Sequence, residues 1–537
     1  MPNHLHYGDN LDVIRAGLPY LHSESVDLIY LDPPFNSQTN YNVLFKAPGG
    51  ENSNAQIEAF VDTWHWNAVA EEAFDQVRAS GNIRVFEMLD AIRRALGEND
   101  MMAYLTMMAI RLIELHRVLK STGSLYLHCD PTASHYLKIL LDAVFGPDKF
   151  RNEIVWKRSV TKGDAKRKFS DDHDIIFFYS KSDTYQFYPI HHEGNEIYQK
   201  RFNRDDHDGR GPYHLAPLDS PNIRPNLMFN YAGFSHPPKG WRVSLLEMER
   251  LDQEGRIWFP QSKNGRLRRK LYLSEQLGPK IGNVWVDIRP LQAGEAERLG
   301  YPTQKPVSLL ERILSASSKP GDVVLDPFCG CGTSIHAAEK LGRQWIGIDI
   351  THLAISLIEK RLKDAFPGLT FEVHGTPKDL AGARDLAKRD PYQFQWWAVS
   401  LVDAIPFGGR KKGADGGIDG LIYFKSDAKT TEKVIVSVKA GANVSVSMIR
   451  DLAHVVERER AKIGLFITLA EPTQPMVTEA AKTGFYQMPG WDKKFPKLQI
   501  LTIDALFSGQ KPQIPLVDPS AFRRAAREAA APLPDLF

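Results

Sequence analysis

Two turns in this sequence pair a carboxylate with a backbone rich in acceptors. The apolar run 28–31 ends in Asp32-Pro33-Pro34-Phe35. Successive prolines fix φ and remove two N–H donors, so the carbonyls and the Asp32 carboxylate present acceptors only. Such a turn wants a donor. An exocyclic amine brings two hydrogens, one for Asp32 and one for the Pro33 carbonyl, and Phe35 can stack on its ring. An aryl amine is a poor nucleophile because its lone pair is delocalised into the ring. Two acceptors that draw the nitrogen toward sp³ localise that pair for in-line attack on an activated methyl. Orientation and hydrogen bonding would do this, and no metal is required for the transfer.

The second turn follows the apolar run 323–325 and reads Asp326-Pro327-Phe328-Cys329-Gly330-Cys331-Gly332-Thr333. In parallel α/β sheets such turns lie at the strands' carboxyl ends, where glycines let a ligand approach the backbone. Gly347-Ile348-Asp349 closes the next strand 23 residues after Asp326, where a carboxylate can accept both hydroxyls of a ribose. Neither of the usual glycine motifs for phosphate stands at this turn, so the expected ligand is of adenosine type and need not carry phosphates.

The elements around these turns alternate short apolar runs with amphipathic stretches through residues 1–180, as an α/β sheet domain requires. Leu105, Met108, Ala109, Leu112, Leu115 and Leu119 recur at helical spacing. Gly123 offers a left-handed stop, and 124–129 reads as a buried strand. From 185 to 295 the periodicity fades into text rich in Pro, Gly, His and Trp, of the kind that carries recognition. Regular α/β text resumes at Pro306, with a helix to 317, a strand 323–325, a helix 334–341 and a strand 345–348. A Lys/Asp/Gly/Ala stretch near 375–390 reads as a linker to a third block. The tail from Gly509 holds five prolines and reads as an extended arm with one short helix.

Composition sets outer limits. Hydrophobic residues make up 43% and charged residues 25% of 537, which excludes wholesale disorder and fibrous repeats. No stretch approaches the ~18 apolar residues of a membrane span. The polar start, with His4, His6 and Asp9, lacks a secretory pattern, so a cytoplasmic protein is expected. Three cysteines, Cys129, Cys329 and Cys331, are too few for a disulfide framework or a complete zinc site. With 67 basic against 65 acidic residues, a polyanion must be met by local clusters. One comprises Lys157, Arg158, Lys162, Lys166, Arg167 and Lys168, the other Arg266, Arg268, Arg269 and Lys270.

The two turns resemble those of the DNA amino-methyltransferases, adenine-N6 and cytosine-N4. In that family Asp-Pro-Pro-Phe/Tyr is the catalytic motif and Asp-Pro-Phe-x-Gly-x-Gly-Thr the methionine-side loop for S-adenosylmethionine. Asp32 precedes Asp326, as in the circularly permuted β group. Tyr7-Gly8-Asp9-Asn10 looks like the segment whose acidic residue meets the cofactor adenine. Thr303-Gln304-Lys305-Pro306 looks like the one beside the methionine end. The resemblance implies a permuted Rossmann-like α/β methyltransferase with Asp32, Pro33, Pro34 and Phe35 catalytic. Cofactor contacts would come from Asp9, Lys305, Asp326, Phe328, Gly330, Gly332, Thr333 and Asp349. The region 185–298 falls where the family places target recognition, with Arg158, Lys168, Arg266, Arg268 and Arg269 as DNA-binding candidates. Double-stranded DNA is the implied partner, with the base flipped into the Asp32 turn; no membrane is involved, and a homodimer is left open. An initial Asp favours adenine N6, with cytosine N4 the alternative.

The third block resembles the Mrr-like branch of the restriction-endonuclease fold, with Asp419 and Lys439 in the expected places and Ser437 where that fold carries Glu, Asp or Gln. A hydroxyl is a weak ligand for Mg²⁺, so Mg²⁺ is expected only if this α/β domain cleaves DNA, which would make the chain a bifunctional methylase and nuclease of a restriction-modification system. Gln395, Trp396 and Trp397 read as packing. The organisation expected is a catalytic half at 1–184, target recognition at 185–298, a cofactor half at 299–376, a linker at 377–390, the endonuclease-like domain at 391–510 and a tail at 511–537.

Overall fold

The computed structural model describes residues 2–34, 40–46, 52–61, 65–159, 167, 169–192, 196–262, 264–292, 295, 297–299, 301, 303–407, 416–426, 430–441, 443–490, 492–515 and 528. Phe35, Lys162, Lys166, Lys168 and most of the tail lie outside them.

Nine strands form the main sheet: β1 (Asn3–Tyr7), β2 (Val26–Leu31), β3 (Leu119–Cys129), β4 (Phe150–Lys157), β5 (His173–Ser180), β6 (Val284–Trp285), β7 (Val323–Asp326), β8 (Gln344–Asp349) and β9 (Phe371–His374). They lie in the order β6-β4-β5-β3-β2-β7-β8-β1-β9. From β3 to β9 every pairing is parallel, and β5 runs antiparallel to both neighbours. Parallel strands are buried on both faces, and β2 is buried at all six positions. The helix Asp100–Val118 supplies much of one covering layer, with Met108, Leu112 and Leu115 in the same core as Ile29 and Leu127.

Register sets where chemistry can occur. β7 pairs with β2 through Leu325 and Ile29, with β8 through Asp326 and Gly347, and β8 meets β1 through Asp349 and Tyr7. The carboxyl ends of β2, β7, β8 and β1 therefore stand side by side, and each runs into one of the polar turns singled out above. Carboxyl ends of neighbouring strands are where open α/β sheets bind ligands.

Two elements differ from expectation. Gly123 does not stop the helix, which ends at Val118 with Leu119 already extended; Gly123 lies within β3. A Cβ there would sit 2.6 Å from Leu119 Cδ1 and 2.8 Å from the Asp27 carbonyl oxygen, so glycine answers a close approach between strands. The stretch read as a linker carries a helix, Leu380–Arg389, capped by Asp379. Ala383 and Leu386 are buried in the core of the third block, a sparse stripe that small side chains disguise.

Residues 189–282 form a separate unit. Instead of irregular text alone, it has its own antiparallel sheet, Tyr213–Pro217, Arg268–Tyr272 and Ile257–Trp258. Trp241, Met248, Leu251 and Leu267 lead its core. The third block is a five-stranded sheet in which Gly420–Lys425 and Thr431–Lys439 form the expected hairpin. No helix among the described residues is long and apolar enough to cross a membrane.

Candidate active site

A single cleft of about 1130 Å³ of atom-free space, mouth included, opens at the carboxyl ends of β2, β7, β8 and β1. Asp9, Asp32, Pro33, Pro34, Lys305, Asp326, Phe328, Gly330, Thr333 and Asp349 all line it. Gly332 stands behind this wall and caps the helix Thr333–Lys340 in a left-handed conformation, φ +75°. A Cβ at Gly332 would lie 2.7 Å from Cγ1 of the buried Ile358. Gly332→Ala is expected to cost roughly 1–3 kcal/mol in thermal unfolding. Gly368→Ala, also at positive φ but with open space around it, should cost less.

The loop after β7 is held from both sides. The Asp326 carboxylate accepts from Ser334 Oγ and from Phe328 N at 3.0 Å. Asp349 accepts from Gly330 N at 3.0 Å and from Thr351 N at 2.9 Å, so this carboxylate fixes the glycine loop as well as facing the cleft. Burial pushes Asp326 up to about 7 and Asp349 up to about 6 against those hydrogen bonds. A carboxyl whose pKa rises on folding takes up a proton between its unfolded and folded values. Its stabilising contribution is present below about pH 4 and lost as pH rises through about 7. Asp326→Asn removes that titration. Its melting temperature relative to the parent should climb from pH 4 to pH 8, a gap of roughly 2–4 kcal/mol at the upper end.

Lysine and arginine contacts recast the expected roles. Lys305 reaches across the cleft to Asp32, with Nζ 3.0 and 2.7 Å from its two oxygens. Asp9 caps the helix Asn10–Arg15, and its two oxygens accept from Arg111 Nη2 at 3.0 and 2.7 Å. Arg111 Nε also donates to Asn10 Oδ1 at 2.6 Å, and Asn10 Nδ2 donates to the Pro327 carbonyl at 2.7 Å. The β1 turn and the β7 turn are thereby tied together.

Several residues that shape the cleft escaped the motif reading. Arg361 is buried and donates to the Cys331 carbonyl and Thr333 Oγ1 at 3.2 and 3.1 Å. A charged residue on the core side of an amphipathic helix, beside Ile358 and Leu362, was the available signal. Tyr301 lines the cleft and is buried. Tyr30 lines it too and meets His128 Nδ1 at 3.0 Å; His128 Nε2 meets Asp174 at 3.0 Å, and Asp174 pairs with Arg158 at 2.8 Å. Arg158, a DNA-binding candidate, is thus engaged with a buried carboxylate. In the 189–282 unit Arg266 lies 3.7 Å from Asp219, while Lys270 is bonded to Asp206 at 2.5 Å. Arg268 and Arg269 are half-buried on the strand they share.

Residues 26–360 match the family model described as DNA methylase. This chain belongs to the DNA methylase family. Residues 386–489 match the model described as restriction endonuclease. Among relatives, the Type II methyltransferase M.EcaI of Enterobacter cloacae is 34% identical over 262 residues, 48% of this chain and 57% of that protein. The Type III restriction-modification enzyme StyLTI Mod subunit of Salmonella typhimurium is 24% identical over 355 residues, 63% of this chain and 50% of that one. The chain thus spans about half the length of these relatives. A crystal structure of a DNA modification methylase from Thermus thermophilus, complexed with S-adenosyl-L-methionine, covers 69% of this chain and 99% of its own at 16% identity and a TM-score of 0.33.

In the endonuclease-like part of this methylase, Asp419 is buried at the head of the hairpin. It accepts from Val438 N at 2.6 Å, Ser437 Oγ at 3.3 Å and Gln395 Nε2 at 2.5 Å. Gln395, read as packing, is a polar partner of this carboxylate. Trp396 and Trp397 are buried, as packing residues should be. Lys439 ends the partner strand. No trio of His, Cys or acidic side chains that could hold an ion gathers at Asp419 among the described residues.

Proposed function

We propose that this chain transfers a methyl group from S-adenosylmethionine to the exocyclic amine of a base flipped out of double-stranded DNA, adenine N6 in the first place. The observation that carries this is the convergence of the Asp32-Pro33-Pro34 turn and the Asp326–Thr333 loop on one cleft. The cleft suits an adenosine-type group: the Asp349 carboxylate stands at its wall, and next to it Ile350, a large apolar residue 58% exposed, also lines the space. When bound, S-adenosylmethionine supplies an electrophilic methyl on sulfur.

The chain's own residues do the rest. Asp32 and the Pro33 carbonyl accept the two amine hydrogens and localise the nitrogen lone pair. Before the base arrives, Lys305 satisfies the Asp32 carboxylate; as the amine engages one oxygen, the ammonium retains the other and holds the carboxylate in place. Asp32 is the acceptor for the proton shed after transfer. The purified chain, unmethylated DNA and a methyl-labelled cofactor test the reading. Label should enter DNA, and hydrolysis to nucleosides should yield N6-methyldeoxyadenosine; N4-methyldeoxycytidine would favour the alternative base, and no incorporation would remove the proposal.

The restriction-endonuclease match supports a second reading in which the same chain also cuts DNA. Cleavage of unmethylated plasmid with Mg²⁺, lost in Asp419→Ala and in Lys439→Ala, is what that reading requires. Ser437 in a ligand position and the hydrogen bonds that occupy Asp419 favour instead a domain that holds DNA.

A further inference from the structure

The edge of the main sheet carries a second group of ligand-type side chains. β1 and β9 pair in parallel with His4 opposite Glu372 and His6 opposite His374. Alternate residues of a strand share a face, so these four side chains form a two-by-two grid. Three of them converge. His4 Nδ1 lies 3.1 Å from His374 Nε2 and 3.5 Å from Glu372 Oε2, and His374 Nε2 lies 3.4 Å from that same oxygen.

Two nitrogens and one oxygen therefore occupy a nearly equilateral triangle. Ligands about 2.0–2.1 Å from a tetrahedral zinc ion stand roughly 3.3–3.4 Å apart, so the triangle has the dimensions of one face of such a tetrahedron. The rings are held from behind: His4 stacks on Tyr20 at 3.5 Å, His374 on His6 at 4.5 Å, and Tyr20 Oη lies 3.0 Å from His6 Nε2. Fixed ring orientation is what an imidazole ligand needs. The His4 side chain is 5% exposed and that of Glu372 is 55% exposed, so the set is anchored inside and open on one side to an arriving ion. Burial lowers the pKa of both imidazoles, which favours the neutral, ligating form.

We propose that His4, Glu372 and His374 bind a divalent transition-metal ion, zinc in the first place, with a water in the remaining position. Two imidazoles and one carboxylate suit zinc, cobalt or nickel rather than magnesium or calcium. The ion would pin β9 to β1, the strand whose carboxyl end delivers Gly8 and Asp9 to the cleft.

The full chain, stripped with a chelator, is titrated with Zn²⁺ against a chromophoric indicator, with Co²⁺ as a spectroscopic probe. One equivalent of zinc should bind, Co²⁺ should develop visible absorption bands, and zinc should raise the melting temperature. Glu372→Gln, at an exposed edge position, and His374→Ala should each weaken binding by about tenfold or more and abolish the thermal shift. Unchanged circular dichroism in these variants would show that the fold persists. Absence of zinc uptake by the parent, or equal affinity in parent and both variants, overturns the site and leaves a hydrogen-bonded histidine pair beside a carboxylate.

Discussion

Asp32→Asn is expected to lower the rate of methyl transfer by about 10³-fold while S-adenosylmethionine binds the variant within roughly threefold of its parent affinity. The carboxylate lines the part of the cleft that receives the amine, where it is tied to Lys305; the loop that would hold the cofactor is fixed separately, by Asp326, Asp349 and Arg361. Asparagine keeps the volume and one acceptor oxygen but turns the other position into a donor aimed at a donor, and it removes the charge. A loss of 10³ corresponds to about 4 kcal/mol of transition-state stabilisation, in keeping with one misplaced hydrogen bond at a reacting centre. Alanine is the poorer probe, since it leaves the Lys305 ammonium, whose side chain is 8% exposed, without its counter-ion and mixes fold damage with chemistry. Single-turnover transfer and calorimetric cofactor binding, measured on the same preparation, separate the two. Transfer within tenfold of the parent would remove Asp32 from the chemistry.

Local text carried the parts of this site that are local in space. An apolar run followed by Asp-Pro or a glycine pair announces a strand end and its turn, and β2, β7 and β8 end where those residues stand. The partners of the carboxylates were not legible, because Arg111 lies 102 residues from Asp9 and Lys305 lies 273 from Asp32, and only the strand order brings them together. Composition misled where apolar contacts are small: Ala383 and Leu386 bury one side of a helix that lysine, aspartate and glycine made look like a tether. Gly123 misled for the opposite reason, since a glycine after a helical stripe suggests a cap and gives no sign of the Asp27 carbonyl that forbids a side chain there. In the 189–282 unit the strands are short and the stripe is broken by proline, so periodicity hid a sheet that pairing makes plain.

Trp396→Ala is expected to destabilise the protein by roughly 3–5 kcal/mol and also to weaken S-adenosylmethionine binding, although Trp396 lies in the endonuclease-like part and does not line the cleft. Its indole packs in a cluster with Tyr301, Cys331 and Leu353, and Cys331 belongs to the glycine loop while Tyr301 forms cleft wall. The adjoining backbone repeats the connection: the Gln393 side-chain oxygen accepts from His352 N at 3.1 Å, at the start of the helix that carries Ile358 and Arg361. Removing the indole opens a void directly behind the loop, and a loop held in a left-handed turn at Gly330 and Gly332 has few other supports. Trp397→Ala supplies the control. That indole is equally buried but packs on Phe394 and Phe507 in the core of the third block, so its loss should lower the melting temperature by a similar amount and leave cofactor affinity of the folded protein unchanged. Equal cofactor affinity in both variants would mean that the endonuclease-like part is merely appended. A selective loss in Trp396→Ala, about tenfold or more, would mean that the methylase pocket is completed by the domain that follows it in the chain, and that methyl transfer in this protein evolved to depend on an intact endonuclease fold even where that fold does not cut.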